Sequence, residues 1–242
     1  AVSMYTFDSR VRYSEIDENG TLSVTAAVNY LQDCSTFQSE DIGRGVRYLT
    51  DHGKAWWLSS WQIVFDRCPG LGEPVTIATY PYDFKGIYGY RNFMILDREG
   101  NYLVRANSVW FLFDLKAGRP VRVTEEDVSC YGAVHAEPLK MEYASGKIAP
   151  LKKYEEGRAV EVVRHHIDTN HHVNNAKYAE IAAEYLPEGF RTGELRIEYR
   201  KAAVLGDWIV PRIGRDDGAV TVELSSPEGE RYAAAWFREK KG

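Results

Sequence analysis

The chain has 242 residues, 44% of them hydrophobic and 27% charged, and carries a formal net charge of −5. Those values fit a globular protein of one large or two small domains and argue against general nucleic-acid binding. Cys34, Cys68 and Cys130 are odd in number, far apart and without a CxxC. This fits neither a disulfide framework nor a structural zinc site, so a reducing cytoplasm is the expected compartment. No apolar run approaches a membrane span, so no membrane insertion is expected.

The first residues, AVSMYTF, lack the basic and apolar segments of a secretory signal, and Met4 reads as a natural start. A turn signal follows in "VRYSEIDENG", residues 11–20. Next comes a helical pattern, "SVTAAVNYLQDCSTFQSEDIG", with Ala27, Leu31, Cys34 and Phe37 as an apolar stripe. An inserted loop is expected around Arg44–Trp57. Strand signals then run over Val75–Tyr82, Tyr88–Leu96 and Tyr102–Phe113, broken by the hairpin signal "DREGN". The high aromatic content, 13%, also favours sheet.

"EPLKMEYASGKIAPLKK", residues 137–153, has no clear periodicity, and residues 139–156 read as the linker. Beyond them the chain repeats itself. "VVRHHIDTNH" at 162–171 lies on "VRYSEIDENG", matching Ile16-Asp17-x-Asn19 to Ile167-Asp168-x-Asn170. A helical pattern again follows, with Ala176, Ala179, Ala183 and Leu186 on one face. "EYRKAAVLGDWI" at 198–209 echoes "VFDRCPGLGEPV" at 64–75. Strand signals close the second half at Trp208–Ile213, Ala219–Leu224 and Tyr232–Phe237. Each half is thus a strand, a turn, a helix and a run of antiparallel strands, an α+β unit in which one curved sheet covers a helix. The expected domains are 1–138, the linker 139–156, and 157–242, with two sheets joined edge to edge.

With the repeat in place, the residues resemble the acyl-ACP thioesterase family of plants and bacteria, a tandem double hotdog fold. The first half carries "YSEIDENGTLSVTAAVNYLQD", "WWLSSWQIVFDRCPGLGEPV" and "GYRNFMILDREG". The second carries D-x-N-x-H-V-N-N at Asp168, Asn170, His172, Val173, Asn174 and Asn175, similar to the family's active-site signature. The resemblance implies hydrolysis of fatty acyl-ACP without a cofactor or metal. It makes Asp168, Asn170 and His172 the catalytic candidates and the N-terminal hotdog the acyl-chain-binding half. It also implies an acyl carrier protein as partner, and a homodimer stays one option for the assembly. The chain departs from the family after the second helix, where Tyr-Arg-Arg-Glu-Cys is expected and "YRKAA" stands, so Ala202 and Ala203 replace the glutamate and cysteine. Glu198 lies four residues earlier, about 13 Å along a strand, too far to substitute without a bulge.

Thioester hydrolysis needs a positioned water, a proton acceptor and oxyanion stabilisation. Asp168 and His172 supply acid–base groups, Asn170 a donor and an acceptor, and the helix starting near Asn174 its free N–H groups. Asp168 and Asn170 are also ordinary turn residues, and Asn174 or Asn175 an ordinary N-cap. The first copy keeps Asp17 and Asn19 but has Thr21 where the second has His172, so the histidine sets the second apart. His165, His166, His171 and His172 raise the question of a metal, but adjacent strand residues point to opposite faces. Trp56, Trp57 and Trp61 either line an acyl tunnel or fill the core. Lys152-Lys153, Arg196, Arg200, Lys201 and the tail "REKKG" are candidate carrier contacts. An acyl-CoA thioesterase, a hotdog dehydratase and a non-catalytic acyl-binding protein are the competing functions.

Overall fold

The computed structural model describes residues 4–132 and 135–242. The chain divides into two units, Ala1–Ser59 with Phe65–Tyr143, and Ser60–Val64 with Ala144–Gly242. In chain order the first contains β1 (Tyr5–Arg10), α1 (Val24–Asp41), α2 (Val46–His52), β2 (Lys54–Phe65), β3 (Pro74–Lys85), β4 (Tyr88–Leu96), β5 (Tyr102–Asp114), β6 (Arg119–Pro120) and α3 (Glu125–Val128). The second contains β7 (Glu155–Glu156), β8 (Val160–Glu161), α4 (Asn175–Ala183), β9 (Thr192–Tyr199), β10 (Trp208–Asp216), β11 (Ala219–Ser225) and β12 (Arg231–Glu239). It also takes residues 60–64 of β2, which pair antiparallel with β9. The class is α+β: few helices against antiparallel strands.

In the first unit the strand order is β1-β3-β4-β5-β2, and α1 packs on β1 and β3. Ser23 opens α1 by accepting the Ala26 N–H at 3.0 Å, which satisfies one of the donors a helix start leaves unpaired. Ala27, Leu31 and Cys34 are fully buried along the expected stripe. Phe37, expected on the same stripe, is 45% exposed and instead meets Phe7 of β1 edge-on at 5.1 Å. The helix turns Gln38 inward in its place. Its Oε1 accepts Arg91 Nη1 at 2.6 Å, and Arg91 also reaches Thr79 at 3.2 Å. Burial pushes the Arg91 pKa down, yet a guanidinium stays charged, so a polar partner takes precedence over an aromatic one there.

A second departure concerns Arg44–Trp57, expected as a loop. It forms α2, ended by Gly53 at φ 70°, and β2 starts at Lys54. Seven residues show too few turns for helical periodicity to register in a sequence. Trp61 lies buried in the core, while Trp57 stacks on Phe113 at 3.7 Å and Trp56 packs on Phe84.

The second unit runs from the β2 segment through β9, β12, β11 and β10 to β7, with β8 also on β10. Its helix α4 packs on β11 and β12. Ala176, Ala179 and Ala182 are buried there, and α4 ends at Ala183, so Leu186 falls beyond it, just before Pro187. Residues 137–154 form no helix or strand and lead into β7, and they are no free tether. Asn92 accepts the Leu139 N–H at 2.9 Å in the first unit. In the second, Gln62 holds Ala144, Glu198 holds Ile148 and Glu223 holds Leu151.

Candidate active site

The loop between β8 and α4 is built by its own backbone. Asp168 N–H donates to the His172 carbonyl at 2.9 Å, and His171 N–H donates to the Asp168 carbonyl at 3.0 Å. The Asp168 carboxylate accepts the Asn170 N–H through Oδ1 at 2.9 Å, closing an Asx turn. Ile167 and Val173 form a bridge across the loop's mouth. Asp168 and Asn170 are therefore brought together, and His172 joins them through its carbonyl. Asp168 and His172 are half-buried and Asn170 is exposed.

The first unit makes the same loop with the same bonds. Asp17 N–H reaches Thr21 at 2.9 Å, Gly20 N–H reaches Asp17 at 3.0 Å, and Asp17 Oδ1 accepts Asn19 N–H at 2.9 Å. The turn is consequently a property of both halves, closed in each by one aspartate carboxylate oxygen and the asparagine backbone N–H. What differs is what the turn displays. Gly20 has φ 79°, and its counterpart His171 has φ 61°, the one non-glycine with positive φ among the described residues. A side chain in that region is strained, because Cβ crowds the following carbonyl. Thr21 is matched by His172.

Helix α4 begins against this loop. Asn174 is its N-cap, accepting the Ala176 N–H at 3.0 Å, while its own N–H donates to the His166 carbonyl at 2.8 Å. The first-turn N–H groups and the positive end of the helix thus face the loop. Below it, Val173 N–H binds the Ala203 carbonyl at 2.9 Å.

The histidines do not act as a group. His166 Nδ1 accepts the Val163 N–H at 3.0 Å, the same bond that Glu15 makes to Arg12 N–H in the first unit at 2.8 Å. Burial, then the neighbouring His165 ring 4.2 Å away, lowers the His166 pKa, in keeping with a neutral acceptor. Among the described residues no three His, Cys, Asp or Glu side chains gather as a metal would require. Ala202 is exposed and Ala203 wholly buried, so no carboxylate stands at either of these two positions. Glu198 is committed elsewhere, its carboxylate holding the Ile148 N–H at 2.8 Å. Of the basic candidates, Lys201 pairs with Glu230 at 2.9 Å, Arg196 donates to the Gly146 carbonyl at 2.8 Å, and Arg200 is exposed.

Two tyrosines, Tyr178 buried and Tyr199 half-buried, were not legible as site residues. Tyr178 on α4 accepts the Ala203 N–H at 3.0 Å, and Tyr199 on β9 donates to the Asn175 carbonyl at 3.2 Å. Burial pushes the Tyr178 phenol up to about 12 and that of Tyr199 well above its ordinary value. Only the repeat could have flagged Tyr178, since the matching residue of α1 is Ala27.

Among solved structures, the chain resembles an acyl-ACP thioesterase from Bacteroides thetaiotaomicron, with a TM-score of 0.87 and 22% identity, covering 98% of each chain. It also resembles the 12:0-ACP thioesterase from Umbellularia californica, with a TM-score of 0.82 and 16% identity, covering 98% of this chain and 97% of that one. At these identities the likeness establishes a shared fold. By sequence it is 26% identical over 212 residues to a chloroplastic palmitoyl-acyl carrier protein thioesterase of Gossypium hirsutum, covering 79% of this chain and 50% of the relative. The chain spans about half the length of the curated relatives it matches. The family model for the acyl-ACP thioesterase N-terminal domain matches residues 3–131, more than half of the chain, and that for the C-terminal domain matches residues 150–235. The chain therefore belongs to the acyl-ACP thioesterase family.

Proposed function

We propose that this protein hydrolyses the thioester of fatty acyl groups carried on an acyl carrier protein, releasing free fatty acid and the carrier thiol. The observation that carries the reading is the contrast between the loops: one backbone, two copies, and an imidazole at His172 only in the copy whose sequence matches the active-site signature. In this mechanism Asp168, with His172 assisting, takes a proton from water, and the hydroxide adds to the carbonyl carbon. The Asn175 N–H, the positive end of α4 and the Asn170 side chain steady the oxyanion, which collapses, breaks the C–S bond and expels the thiolate, to be protonated through His172. Asp168 Oδ1 is occupied by Asn170 N–H, which leaves Oδ2 for the water. We further read each unit as one hotdog, the first binding the acyl chain, and place the protein in the cytoplasm. The odd number and wide spacing of Cys34, Cys68 and Cys130, without a CxxC, support the latter reading.

One observation favours a second reading, acyl binding without cleavage: Ala202 and Ala203 offer no base, and Glu198 is engaged with Ile148. Free-thiol release from a panel of acyl-ACP and acyl-CoA substrates, with His172→Ala alongside, separates the readings. Acyl-ACP turnover lost in the variant supports hydrolysis by this loop. Turnover of acyl-CoA alone reassigns the carrier, and binding without thiol release by the wild type supports the second reading.

A further inference from the structure

Beneath the loop the two units differ at a pair of positions that change together. In the first, the carbonyl bound by Leu22 N–H at 2.9 Å belongs to Pro69, which has no N–H of its own. In the second, the carbonyl bound by Val173 N–H belongs to Ala203, fully buried and carrying a donor. That donor is satisfied by the Tyr178 hydroxyl at 3.0 Å. The α1 residue at Tyr178's place is Ala27. Ala27 thus goes with a proline that needs no acceptor, and Tyr178 with an alanine that does. Buried N–H groups are almost always paired, because an unpaired one loses its water without replacement.

Tyr178 is itself held. It is 2% exposed, and its ring meets Tyr199 at 5.7 Å in an edge contact. Tyr199 in turn binds the Asn175 carbonyl in the first turn of α4. The two phenols tie the start of α4 to the connection after β9. Having accepted the Ala203 N–H, the Tyr178 hydroxyl keeps its own proton to give, and the carboxylates whose charges reach it are those of Asp168 and Asp207.

We propose that Tyr178 is a positioning residue for the Asp168–His172 loop, acting through the Ala203 peptide. The contact chain runs from the Tyr178 hydroxyl to Ala203 N–H, then from the Ala203 carbonyl to Val173 N–H, one residue from His172. The connection that carries no carboxylate at Ala202 is steadied from the interior by a phenol. This inference rests on the reading of the loop as the hydrolytic site.

The test uses the full chain with Tyr178→Phe, Ala203→Pro and the double variant. Tyr178→Phe should lower kcat about tenfold with KM nearly unchanged, since it strands one buried donor. Ala203→Pro, which copies the first unit and removes that donor, should restore kcat in the Tyr178→Phe background. A purely structural role would lower the melting temperature of Tyr178→Phe and leave kcat of the folded enzyme unchanged. The second readout is hydrogen exchange at the Val173 amide, which should lose about tenfold protection in Tyr178→Phe and regain it in the double variant. Wild-type kcat in Tyr178→Phe, a deficit that Ala203→Pro leaves in place, or unchanged Val173 protection would each overturn the inference. Exchange needs no turnover, so a wild type that cleaves nothing removes the hydrolytic reading while Val173 still decides the role of Tyr178.

Discussion

Loops 16–23 and 167–174 carry matching backbone hydrogen bonds, residue for residue, from the Asx turn to the bond that anchors each loop's end. Around that shared frame the side chains diverge. Glu15 becomes His166, Gly20 becomes His171, Thr21 becomes His172, and beneath them Ala27 and Pro69 become Tyr178 and Ala203. The frame is a stable way to enter a helix, and either half can use it. Under the proposed function, chemistry is a matter of what one copy displays on it, which makes the first loop an internal control for the second.

The control can be broken most sharply at His172. His172→Ala should cut kcat on acyl-ACP by about a hundredfold or more, the usual worth of a proton-transfer group, while Thr21→Ala should leave it near wild type. Steady-state kinetics on both variants decide this, and equal effects would erase the distinction between the copies.

The helix caps come next. Ser23→Ala and Asn174→Ala should each destabilise by about 1 kcal/mol in denaturant melts. Only Asn174→Ala should also lower kcat, because it frees the start of α4 beside the loop. Matching loss of activity from both would mean that general stability, not the second loop, limits turnover.

His171→Gly exchanges the strained residue for the one its counterpart uses. Its stability should rise by up to about 1 kcal/mol, the αL strain released less glycine's added unfolded-state entropy. A melt showing loss instead would mean that the His171 imidazole makes contacts worth more than the strain.

The smallest effect concerns pH. The His166 pKa lies below its ordinary value, held down by burial and His165 with Lys177 nearby and partly opposed by Glu180. On acidification the unfolded chain binds this proton first, so the stability His166 contributes is present above about pH 6.5 and is lost as pH falls through its folded pKa. His166→Asn can accept the Val163 N–H without titrating. Melting temperatures from pH 8 to pH 5 should therefore fall less steeply in the variant, and parallel curves would remove His166 as the cause.

Much of this architecture was legible in the residues alone. The strands β3, β4, β5, β10, β11 and β12 follow apolar alternation and Gly-containing turns, and the two Asp-x-Asn loops announce themselves because an Asx turn is closed within three residues. The repeat, the helix caps and the departure at Ala202-Ala203 are likewise local facts. Tertiary structure alone decided which polar side chains face inward: Gln38 meeting Arg91 across 53 residues, Glu198 meeting Ile148 across 50, and Tyr178 meeting Ala203 across 25. Nothing local distinguishes these from solvated surface residues. Their direction is set by buried donors that have to be paired once water is excluded, and those donors exist only after distant segments have come together.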